Sequence, residues 1–114
     1  MIKITSRKKR SKLKLQVIFN EGVKFVSKSF IAFFLFSEIS QLEPTIIASK
    51  KVGNAIKRNR CKRRLREIIR LHIRPNIGDN IRLILIARAG TDILEFSRLL
   101  SDCNNLIKVI SKKD

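Results

Sequence analysis

Eleven cationic side chains fall within residues 50–74: Lys50, Lys51, Lys57, Arg58, Arg60, Lys62, Arg63, Arg64, Arg66, Arg70 and Arg74, against one acid, Glu67. Guanidinium and ammonium groups at this density can hold phosphates, singly or in bidentate pairs, but cannot cleave them unaided. Hydrolysis of a phosphodiester by the protein itself would call for clustered carboxylates around a metal ion. The nine acids of the chain are scattered singly. Cys61 and Cys103 lie in no CxxC or Cys/His cluster, which argues against zinc, and two cysteines are too few for a disulfide framework. His72 is the only histidine and has no evident partner to make it a general base. The chemistry on offer is binding of a polyanion.

A helix must position these cations. Asn54 is a suitable N-cap, and the pattern predicts a helix from Ala55 to about His72, ended by Pro75, Gly78 and Asp79–Asn80. At 3.6 residues per turn, Cys61, Leu65, Ile68, Ile69 and His72 share an apolar stripe. Asn59, Arg60, Lys62, Arg63, Arg66, Arg70 and Arg74 lie opposite it. Surface helices ordinarily mix signs and gain from Glu–Lys pairs four residues apart; this one does not. Lys57, Arg58 and Arg60 even crowd the positive end of the helix dipole, unfavourable by about 0.3–1 kcal/mol each. Bound phosphates would reverse that sign, because the free N–H groups of the first turn also point at anions. Cys61 has an apolar phase and is expected in the core, as a small hydrophobe rather than a nucleophile.

The rest of the chain supplies the scaffold. Its 114 residues fit one domain, spanning 1–114, and 44% apolar content is enough for a core. A formal charge of +17 and a pI near 11.0 work against compactness unless a polyanion binds. Seven further cations and no acid occupy residues 1–14, so residues 1–11 are expected to be a basic, mobile segment. Leu13–Asn20, with Leu15, Ile18 and Phe19 at helical spacing, predicts a first helix that stops at Gly22. Ser29–Phe36 predicts a strand with Phe30, Ala32, Phe34 and Phe36 on one face and Ile31, Phe33 and Leu35 on the other. With both faces apolar, the strand is covered twice, or one face meets something other than water. A turn through Glu43–Pro44 leads to a strand at Thr45–Ser49; Ile81–Ala87 is another, and Asp92–Lys112 carries the apolar stripe of a closing helix. The expected fold is an α/β sandwich around one sheet. The N-terminus lacks the apolar run of a secretory signal. The most hydrophobic segment, Phe30–Phe36, is too short to span a bilayer, so a cytoplasmic protein is expected.

The segment Ser49-Lys50-Lys51-Val52-Gly53-Asn54-Ala55-Ile56-Lys57-Arg58-Asn59-Arg60-Cys61-Lys62-Arg63, with Arg66 beyond it, closely resembles the signature of the bacterial ribonuclease P protein subunits. Leu15–Gly22, Phe30–Leu35 and Ile81–Ala89 extend the likeness over most of the chain. The resemblance implies one mixed sheet of about four strands with three helices and a left-handed βαβ crossover. It implies a non-catalytic subunit of an endoribonuclease that binds a large catalytic RNA and the 5′ leader of precursor tRNA. Hydrolysis, dependent on Mg2+ bound mainly by the RNA, would belong to that RNA. By the same resemblance Arg58, Asn59, Arg60, Lys62, Arg63 and Arg66 would dock on the RNA subunit. Phe19, Phe33, Lys50, Lys51 and Asn54 would line a cleft for the leader, where aromatic stacking and cations hold single-stranded RNA. Leu15, Arg64 and Thr45 depart from the family pattern: Leu15 weakens stacking on the first helix, and Arg64 either extends the RNA contact or snorkels. No small-molecule substrate or membrane partner is implied. A ribosomal protein would show the same composition without a leader cleft. A helix-turn-helix regulator is disfavoured, because the turn at Pro75–Asn80 leads into a strand.

Overall fold

The computed structural model describes residues 15–37, 44–78 and 80–113. The basic segment 1–11, the rest of residues 1–14, and Glu43 of the expected turn lie outside the described residues. The elements are α1 (15–21), β1 (Val23–Val26), β2 (Phe30–Phe36), β3 (Thr45–Ile47), a 3-10 turn (Lys50–Val52), α2 (Ala55–Ile68), a π-helical turn (Ile69–Ile73), α3 (Arg74–Ile77), β4 (Ile81–Ala87) and α4 (Phe96–Lys113). Because α2, the π turn and α3 run on without a break, the helices form three rods beside one sheet.

The sheet order is β1-β2-β4-β3, with β2 antiparallel to both β1 and β4, and β3 parallel to β4. β3, α2 and β4 therefore make the βαβ unit. Alternation in β2 and β4 sorts the faces. Phe30, Ala32 and Phe34 join Ile81, Leu83, Leu85 and Ala87 in a core closed by Cys61, Leu65, Ile68, Ile69 and Ile73 from the long helix and by Leu99, Cys103, Leu106 and Ile110 from α4. Phe36, on the same face at the strand's end, is 40% exposed. The opposite face carries Ile31, Phe33, Ile84 and Ile86 and is covered where α1 lies on it, with Ile18 buried. Gly22 permits this close approach: a Cβ there would meet the carbonyl oxygens of Ile18 and Phe34.

Three differences from the sequence reading have physical causes. β1 is an additional strand of four residues, too short for its alternation to register, yet it pairs from Val23↔Phe34 to Val26↔Ile31. The long helix does not end near His72 but continues through Pro75. Arg74 N–H bonds to the carbonyl of Ile69, five residues back, so the register is already widened where the proline ring would clash with a normal turn. The same widening returns Ile73 to the core. Finally, α4 begins at Phe96, and residues 88–94 form the turn before it.

Candidate nucleic-acid interface

α2 is set on its scaffold at its N-terminus and along its inner side. Asn54 Oδ1 accepts the backbone N–H of Lys57 at 2.9 Å, the N-cap expected from its type. Just before it, Gly53 takes φ 143°, a conformation that favours glycine, and swings the chain out of the Lys50–Val52 turn. On the inner side Cys61, Leu65 and Ile68 are buried. That leaves Asn59, Arg60, Arg63 and Arg66 exposed and Arg58 and Lys62 half-buried. Among the described residues, the side chains of Arg60, Arg63 and Arg66 enter no hydrogen bond or ion pair. Arg58 Nε is buried without a hydrogen-bond partner, an unmet donor whose desolvation costs about 1–3 kcal/mol. Toward β3 the face closes into a cleft of about 210 Å³ lined by Arg66, Arg70, Arg74, Ile69, Ile46 and Pro44. Arg70 and Arg74 thus join the cationic surface beyond the motif residues.

Arg64 has a different place. Its Nη1 donates to the carbonyl of Thr91 at 2.9 Å, tying α2 to the turn before α4. It neither snorkels freely nor joins the outward face. Cys61 and Cys103 are buried free thiols. Burial, aided by the nearby Asp92 charge, raises the Cys61 pKa, and burial pushes that of Cys103 up to about 11. Both are neutral at physiological pH, which suits core residues rather than nucleophiles. His72 is half-buried, its ring 6.2 Å from that of Phe96. Among the described residues no three His, Cys, Asp or Glu side chains come together as a metal site.

The second group of sequence-predicted residues falls into two separate sets, an aromatic pair and a set of polar and cationic residues. The rings of Phe19 on α1 and Phe33 on β2 meet edge-to-face with centroids 4.9 Å apart. Phe19 remains 37% exposed; Phe33 beneath it is half-buried. Lys24 Nζ stands 5.8 Å from the Phe33 centroid, because Lys24 and Phe33 are register partners on that face. Lys24 carries no signal in the sequence alone, because the four residues of β1 are too few for alternation to show, and its place is set by pairing with β2. Lys50, Lys51 and Asn54 are exposed at the far end of β3, which lies two strand spacings, about 10 Å, from β2. They are not in contact with the aromatic pair. An aromatic surface and cations are the two kinds of group that hold single-stranded RNA.

Comparison with known proteins places this architecture. A family model described as Ribonuclease P matches residues 6–111. A protein of Streptococcus pneumoniae serotype 4 named ribonuclease P protein component is 30% identical over 103 residues, covering 90% of this chain and 82% of its own. The solved RNase P protein of Staphylococcus aureus superposes with a TM-score of 0.69 at 26% identity, covering 85% of this chain and 88% of its own. The RNase P protein from Thermotoga maritima gives 0.71 at 25% identity, covering 83% and 89%.

Proposed function

This chain belongs to the ribonuclease P protein family, and we propose that it acts as the protein subunit that helps a catalytic RNA remove the 5′ leader of precursor tRNA. The observation that carries this reading is the outward face of α2. Arg58, Asn59, Arg60, Lys62, Arg63 and Arg66 dock on the RNA subunit, with phosphates supplying the counter-charge that no described carboxylate supplies. Exposed charges at this density confer little on the free protein, and phosphate contacts made through them depend steeply on salt.

The leader runs along the α1 side of the sheet. Its bases stack at Phe19 and Phe33, while Lys50 and Lys51 follow its backbone and Asn54 holds the helix start that presents them. Lys24 adds a cation beside Phe33. The Mg2+ needed for hydrolysis is bound mainly by the RNA subunit, and the protein's part is to bind, orient and neutralise. In the described residues no helix is long and apolar enough to cross a membrane, and the protein works in the cytoplasm.

Reconstitution tests this. The purified chain alone should leave precursor tRNA intact. The chain added to the RNA subunit with Mg2+ at low salt should cleave it much faster than the RNA alone. Cleavage by the protein without RNA, or no gain over the RNA alone, would reject the proposal. A ribosomal RNA haul on affinity purification would favour a ribosomal role instead.

A further inference from the structure

Between α2 and the start of α4 lies an open groove of about 250 Å³, distinct from both surfaces described above. Arg64, Glu67, Ile68, Leu71, His72 and Phe96 are among its lining residues. Two of its walls are apolar side chains left largely in water: Phe96 is 53% and Leu71 48% exposed. The Phe96 ring stands 6.2 Å from the His72 ring at an interplanar angle of 56°, so the two form a partly open aromatic wall. Glu67 is the one acid among the eleven cations of residues 50–74. It is exposed and, among the described residues, forms no ion pair, although Arg63, Arg64 and Arg70 lie three or four residues from it on the helix.

A carboxylate here repels phosphate, so this is not a further phosphate site. It suits the other half of a nucleotide. We propose that the groove receives an unstacked nucleobase of the RNA held by α2, preferentially one bearing an exocyclic amino group. Phe96, with Leu71 and His72 about it, takes the face of the base; Glu67 accepts a hydrogen bond from its edge.

Continuity with the cationic face argues for RNA over another occupant. Arg60, Arg64 and Glu67 on α2 and Leu71 in the π turn that continues it follow one another at spacings of three and four, so the groove begins one helical turn, about 5.4 Å, beyond Arg60. A strand whose phosphates lie on Arg60 and Arg63 has its next base at the groove. Charge complementarity agrees, since a chain of net charge +17 repels a second copy of itself. The inference rests on the reading of α2 as an RNA-docking face and adds what is docked beside it.

The test separates base insertion from phosphate contact. Phe96→Ala in the full chain should weaken binding to the catalytic RNA subunit about tenfold while leaving the salt dependence unchanged, since stacking releases no counterions. Arg60→Ala should flatten that dependence. His72 is the sole histidine, so its ring-proton NMR signals are unambiguous. Saturation with oligoadenylate should shift them upfield, and a ribose-phosphate oligomer lacking bases should not. Glu67→Gln should reduce preference for oligocytidylate over oligouridylate. An effect of Phe96→Ala below twofold, unmoved His72 signals in the RNA-saturated protein, or equal shifts with the base-free oligomer would overturn the proposal. So would RNA-free self-association abolished by Phe96→Ala, which would assign the groove to a second copy. Leu71→Gln, a second change at an exposed position, should reproduce the Phe96→Ala effect if thermal unfolding shows Phe96→Ala to be destabilised. The free-oligonucleotide shifts stand apart from holoenzyme assembly: a chain that activates the RNA subunit but shows no His72 response loses only the groove.

Discussion

Two regions handle charge in opposite ways. At the corner where β2 begins and α4 packs, the carboxylate of Asp102 is buried, 5% exposed, and surrounded by donors. Ser29 offers its backbone N–H at 3.1 Å and its hydroxyl at 2.6 Å, and Arg98 Nε approaches at 3.6 Å. Thr91, also buried, donates its hydroxyl to the carbonyl of Ser29 at 2.7 Å and so knits the turn before α4 into the same network. On the outward face of α2, by contrast, Arg60, Arg63 and Arg66 stand in solvent with no partner among the described residues. A buried charge must be met within the chain because desolvation is costly. An exposed cation costs little while it waits, so this fold can leave counter-charge to an incoming polyanion. One corner meets its charge within the chain; the other leaves its charge open to solvent.

Mutations should therefore separate the two properties. The largest effect is expected from Asp102→Ala, which strands the Ser29 donors and should cost about 3 kcal/mol in urea unfolding. RNA affinity measured well below the melting temperature should hold its salt dependence. Comparable salt-slope changes would show that the corner and the interface are one unit. Next comes the Arg60→Ala, Arg63→Ala pair, expected to weaken RNA-subunit binding by roughly 10- to 100-fold and to lower the salt slope by about one per cation removed. Its melting temperature should stay level or rise slightly as helix-dipole repulsion and self-repulsion ease. An unchanged slope would mean the face is misassigned. Phe33→Ala should reduce affinity for precursor tRNA by about tenfold and for mature tRNA much less; equal losses would make Phe33 a packing residue only. Smallest is Asn54→Ala, where loss of the cap should cost about 1 kcal/mol in thermal unfolding, with a modest fall in leader affinity.

Much of this was legible along the chain because it depends on local periodicity. The apolar stripe Cys61–Leu65–Ile68–Ile69 and the cationic residues opposite it follow from helical phase, and all four stripe residues are buried. Asn54 caps because its side chain reaches a donor three residues away. β4 spans Ile81–Ala87 as its pattern required. Where the reading fell short, the deciding partner was distant. Val23–Val26 becomes a strand only through pairing with β2. Lys24 acquires meaning only through its register with Phe33. Arg64, at the edge of the stripe by phase, is directed by an acceptor 27 residues further on.

The sequence alone thus determined that one helix would present cations on its outer side and bury its inner side, since charge and 3.6-residue periodicity are both written locally. Tertiary structure decided what that helix stands beside. It extended the rod past Pro75 through a π turn, brought Phe19 against Phe33 across two elements, and seated Phe96 near His72 to frame an open groove. It also gave Asp102 partners 73 residues away. Contacts of this range depend on strand register and layer packing, which local spacing does not encode.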